Sequence, residues 1–88
     1  MSLFRKDPQS VLDFRVDWAP WLEGDTISSS TWLPATGIVV DSAAFNATSS
    51  TVWLSGGTAG TVYTLTNRVV TAGGRTDDRS ITILVGER

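Results

Sequence analysis

From Leu12 to Trp18 apolar and charged residues alternate without a break. Leu12, Phe14, Val16 and Trp18 share one parity; Asp13, Arg15 and Asp17 share the other. A period of two with a charged outer row predicts a half-buried β-strand. Ala19-Pro20 ends it, and Trp21 and Leu22 fall in a short irregular piece closed by Glu23-Gly24-Asp25. The run from Thr26 to Leu33 is also strand-like, but Ile27 and Trp32 differ in parity. That strand is either bulged or covered on different faces at its two ends. After a turn at 34–37, residues 38–42 form a short strand with Ile38 and Val40 on one side, and Phe45 is expected to cap the core beyond a bend. In residues 50–54, Val52 and Leu54 face one way and Trp53 the other. Two longer runs, 61–71 and 79–85, flank a hairpin loop at Ala72–Arg75. Tyr63, Leu65 and Val69 share a face of the first; Arg79, Ile81, Ile83 and Val85 share a face of the second.

No segment shows an apolar period of 3.6. About six or seven short strands, with turn chemistry at intervals of roughly 8–12 residues, predict an all-β fold: an immunoglobulin-like antiparallel β-sandwich. Residues 1–10 read as an N-terminal arm, since Asp7-Pro8 favours an extended or turn conformation. Residues 11–88 read as the sandwich domain. A chain of 88 residues holds one core and leaves little volume for an enclosed site.

The stretch from Ser55 to Asn67, SGGTAGTVYTLTN, raises a question of chemistry. A phosphate loop needs a Lys-Ser or Lys-Thr pair after its glycines, to neutralise phosphate and to hold magnesium. Here Thr61 and Val62 follow Gly60, and the only lysine is Lys6. A dinucleotide fingerprint needs a helix after the glycines, whereas these glycines precede a strand. The alternative is a corner between two sheets. Gly56, Gly57 and Gly60 supply the backbone freedom, and Tyr63, at the start of the next strand, is placed to bond back to the main chain a few residues upstream. Gly60 and Tyr63 are therefore read as a structural corner.

Composition narrows the chemistry further. The hydrophobic fraction of 41% is enough to fold and argues against disorder. A net charge of −2 leaves no basic surplus for collecting phosphates, so nucleic acid is not an expected partner. Cysteine and histidine are both absent, which removes thiolate chemistry, the commonest general base and the commonest metal ligand. Serine is abundant, but nucleophilic catalysis needs a neighbouring base. No catalytic residue, metal ligand or cofactor is expected. Asp77 and Asp78 are adjacent on a strand and so point to opposite faces. The N-terminus lacks the apolar run of a signal peptide, and no stretch approaches the roughly 18–20 apolar residues of a membrane helix. The 10 serines and 12 threonines make up a quarter of the chain and suit strands and turns.

That leaves surfaces. Trp18 lies on the core parity of its strand, and Trp32 is either core or cover. Trp21 and Trp53 have no obvious core position, and each is either a lid over a sheet edge or an anchor in a protein contact, where tryptophan buries much area with few rotors. In the arm, Phe4 pairs an apolar ring with the cations of Arg5 and Lys6, so all three are candidate contact residues.

Three blocks, KDPQSVLDFRVDWAPWL, GDTISSSTW and VWLSGGTAGTVYTLTNRVVTAGGRTDDRSITI, together resemble small tailed-bacteriophage proteins described as phage fiber-tail adaptor proteins. The resemblance covers roughly residues 6–85. It implies a non-enzymatic virion protein between tail and receptor-binding fibres, present in several copies, made in the host bacterial cytoplasm, and bound to other virion proteins of tail, fibre or capsid rather than to nucleic acid or membrane. Two alternatives stay open. A capsid decoration protein would use the same fold to clamp shell subunits. A carbohydrate-binding module, a different class, would use Trp21 or Trp53 as a stacking platform.

Overall fold

The computed structural model describes residues 2–33 and 35–86. Pro34, the first residue of the turn expected at 34–37, lies outside them. The elements run β1 (Ser2–Lys6), β2 (Leu12–Asp17), α1 (Ala19–Leu22), β3 (Ile27–Leu33), β4 (Ile38–Phe45), β5 (Ser49–Gly56), β6 (Val62–Thr71) and β7 (Thr76–Val85). They form two sheets, one of four strands in the order β1-β7-β6-β3 and one of three in the order β2-β5-β4. The orders β2-β5-β4 and β3-β6-β7 are those of the B-E-D and C-F-G strands of an immunoglobulin sandwich.

The core lies between the sheets. Phe14, Val16, Val52 and Leu54 enter it from one side, and Trp32, Leu65, Val69, Ile81, Ile83 and Val85 from the other. The alternation from 12 to 17 appears in β2 as buried Phe14 and Val16 between exposed Asp13, Arg15 and Asp17. The parity conflict in β3 is settled by a bulge between Ile27 and Ser29, which turns both Ile27 and Trp32 inward. Trp18 continues the β2 parity and is fully buried.

Three expectations are corrected. First, residues 1–10 are not a free arm. Ser2–Lys6 pairs in parallel with β7, from Ser2↔Ile81 to Lys6↔Val85, so the sandwich is antiparallel except at this edge. The physical reason is that β1 supplies core cover: the Phe4 ring packs 5.1 Å from that of Phe14. Second, Phe45 does not cap the core. β4 runs on through Ala43 and Ala44, and Phe45 ends it 45% exposed. Third, the piece after Asp17 is a single helical turn, with Pro20 tolerated in its first turn and Glu23 in the left-handed region at φ 50°.

Candidate interaction surfaces

The corner between β5 and β6 carries the chain from one sheet to the other. Gly56, Gly57 and Gly60 have φ of 76°, 93° and 84°. At Gly57 a β-carbon would also stand 2.7 Å from a methyl of Val85. The Thr58 N–H donates to Tyr63 Oη at 2.9 Å, and the Gly60 N–H donates to the Val85 carbonyl at 2.8 Å. Thr58, through its hydroxyl and then its N–H, holds the Tyr63 phenol below the ordinary tyrosine range. The glycines thus serve packing and turn geometry.

Lys6 reaches the same corner from β1. It is fully buried, and its ammonium donates to the carbonyls of Gly56 (2.8 Å) and Asp7 (2.9 Å). Burial pushes its pKa down from the lysine range; Asp7 and Asp41 oppose that shift. Its charge is spent inside the chain, so Lys6 is not an exposed contact residue. Arg5 faces outward and is exposed, and Phe4 is half-buried.

At the opposite end α1 lies over the β6–β7 hairpin. Trp18 and Trp21 meet edge-on at 5.3 Å. Arg79 sits 4.4 Å over Trp18, and Arg75 sits 4.4 Å over Trp21. The same guanidiniums donate to main-chain carbonyls, Arg75 to Leu22 at 2.6 Å and Arg79 to Asp17 at 2.9 Å. Stacked and hydrogen-bonded at once, each arginine acts as a clamp, a role its planar fork suits better than an ammonium would. Asp25 completes the arrangement, accepting from Gly73 N–H at 3.1 Å and pairing with Arg75 at 3.3 Å. Trp21 is half-buried under its arginine.

Trp53 is placed differently. It lies on the outer face of β5, 37% exposed, between Asp13 on β2 and Ser42 on β4. The structure therefore does not bring Phe4, Arg5, Lys6, Trp21 and Trp53 together. Phe4 and Lys6 serve the sandwich, Trp21 the helical end, and Trp53 stands alone on the smaller sheet.

The sequence reading missed a polar network inside the core. Asn67, fully buried, accepts from Trp18 Nε1 at 2.9 Å and donates to Ser30 Oγ at 2.9 Å and to the Thr31 carbonyl at 3.2 Å. Ser30 and Ser50 share a hydrogen bond of 2.7 Å, and Ser50 accepts from Trp32 Nε1 at 3.0 Å. The chain of bonds links both sheets. A signal for it was present: Asn67 holds the parity of Tyr63, Leu65 and Val69. Among the described residues, no buried side-chain nitrogen or oxygen lacks a partner.

Comparison with known protein families finds a match over residues 6–84, from buried Lys6 to Leu84 on the last strand. The chain belongs to the Gp77 family, podophage GP4 fiber-tail adaptor proteins. The Gp77 match takes in the polar network, the corner and both arginine clamps, and it leaves out Ser2–Arg5 of β1. A search of curated proteins finds no match.

Proposed function

We propose that the chain is a non-enzymatic structural part of a tailed-phage particle, an adaptor joining tail and fibre proteins through protein–protein contacts. The family match over residues 6–84 carries this reading. The geometry supports it, because the side chains with chemical potential are engaged in holding the fold: Lys6 on carbonyls, Arg75 and Arg79 on rings, Tyr63 on the main chain. Among the described residues, no group of three or more carboxylates is placed to hold a metal ion, and no helix is long and apolar enough to cross a membrane.

The protein is made in the host cytoplasm and carried on the virion in several copies. Its partners are virion proteins. A net charge of −2 disfavours nucleic acid among them. Trp53 and Arg5 are its exposed contact residues, with Trp21 and Phe4 at the margins of a contact. The test is genetic and structural. Phage grown without this protein should assemble heads and tails but lack attached fibres, and a supplied wild-type copy should restore them. Fully fibred particles without it would contradict the proposal.

One observation favours a second reading. Trp53, exposed between Asp13 and Ser42, has the setting of a sugar-stacking platform. Tryptophan fluorescence of the free protein titrated with host surface glycans separates the two. The adaptor reading expects no change, and a saturable shift lost in Trp53→Ala would favour the platform.

A further inference from the structure

The sandwich has four edges, and they are not alike. β1 is short and carries the exposed Arg5, and β2 carries Asp13, Arg15 and Asp17. β3 is bulged, and its first residue is already bonded to the neighbouring loop, Ile27 N–H to the Ala47 carbonyl at 2.9 Å. Charges, brevity, bulges and covering loops are the devices that stop a sheet edge from pairing with a foreign chain. β4 is longer, contains no cation and no proline, and is blunted only by Asp41 and the bulge it sits in.

Beyond that bulge every residue from Asp41 to Phe45 is exposed. Among the described residues β4 pairs with β5 alone, and no backbone bond reaches its other side. Its side chains at 42–44 are small, so another backbone can approach closely. Phe45 and Ala43 lie in register with Ser50 and Val52, on the inward side, yet Phe45 remains 45% exposed. The three-stranded sheet is also one strand narrower than the sheet it faces.

We propose that β4 is a strand-addition site that takes an extended segment of another virion protein as a fourth strand beside Ser42–Phe45. This deepens the adaptor reading and rests on it. The occupant's chemistry follows from the edge. Only an extended main chain matches the alternating N–H and C=O groups along it. An inward apolar side chain on the segment covers Phe45 and Ala43. An outward cation answers the exposed Asp41, which accepts from the Ser55 hydroxyl at 3.0 Å and shares its field with buried Lys6, while Asp13 and Asp17 on β2 outnumber Arg15 on the outer face of the same sheet.

Hydrogen exchange tests this with the full-length protein, free and in purified particles. Alternate amides in Ser42–Phe45 already bond to β5, so strand addition slows exchange at the remaining ones, by about tenfold or more, only in the particle. An equal added slowing at every amide of the segment, or none at any, overturns the proposal. Protection that grows with concentration in the free protein also overturns it, since the occupant would then be a second copy. Ala44→Lys adds a charge to the edge without touching the core. It should leave the unfolding temperature unchanged and reduce particle incorporation about tenfold or more; normal incorporation overturns the proposal. If the wild-type chain is absent from particles, the adaptor reading itself fails, which is a separate result.

Discussion

Truncating Asn67 to alanine removes the centre of the buried network. Three hydrogen bonds go with it, and the losses differ. Ser30 keeps its bond to Ser50, and the Thr31 carbonyl belongs to a residue exposed on an edge strand. The Trp18 indole N–H is the group left stranded, because Trp18 is fully buried and its indole donates to Asn67. An orphaned buried donor costs about 1–3 kcal/mol, and the small cavity left by the amide adds about 1 kcal/mol. The total is roughly 2–4 kcal/mol. A chain of this size is stable by only about 4–13 kcal/mol, so the loss is a large fraction. Thermal unfolding should therefore drop by roughly 10–20 °C, and urea unfolding should show an earlier midpoint at an unchanged slope. A double-mutant cycle of Asn67→Ala with Trp18→Phe isolates the shared bond. Phenylalanine has no donor to strand, so the double variant should cost less than the sum of the two singles. A loss below about 1 kcal/mol for Asn67→Ala, or strict additivity in the cycle, would refute the reasoning.

Tyr63→Phe keeps the ring and orphans the Thr58 N–H, and urea unfolding should show a loss of about 1–3 kcal/mol. Gly57→Ala should be worse than Gly60→Ala in the same assay, by about 1–3 kcal/mol, because both have positive φ but only Gly57 would meet Val85. Deleting residues 2–6 should lower the unfolding temperature clearly, since Phe4 and Lys6 leave the sandwich with β1; an unchanged temperature would return them to the status of a free arm. Acid titration reads two aspartates: Thr71, then Thr26, lowers the pKa of Asp25, and Arg68 lowers that of Asp78. Their contributions are complete above the ordinary aspartate value and are lost as pH falls through the lower folded values, so unfolding temperature should decline below about pH 4. Asp25→Asn with Asp78→Asn should flatten that decline.

Strands whose two faces differ were legible in the sequence. In β2 the outward residues are charged and the inward ones apolar, and in β5, β6 and β7 the inward pairs Val52/Leu54, Leu65/Val69 and Ile81/Ile83 keep a period of two, so parity identifies the core face. The bulge in β3 was visible as a conflict between Ile27 and Trp32. The corner was visible because glycines and a tyrosine stood at the right spacing. What stayed hidden depends on contacts distant in sequence. Asn67 reads as an interruption of a core row until Trp18, 49 residues away, is seen to donate to it. β1 was hidden because its partner is β7, at the other end of the chain, and because Lys6 looks like a surface cation until the carbonyl of Gly56 is beside it. The length of β4 was underread for the opposite reason. Ala43 and Ala44 have weak strand propensity, and pairing with β5 overrides it.

The measurement closest to the central claim is a cryo-EM reconstruction of the intact virion at the junction of tail and fibres. Copies of a two-sheet sandwich, with extents near 41 × 21 × 18 Å, should bridge tail and fibre density. Trp53 should be covered by a neighbouring chain, and an added strand should lie beside β4. Finding the chain on the capsid surface instead, or at the junction without contact to both tail and fibre proteins, would contradict that claim.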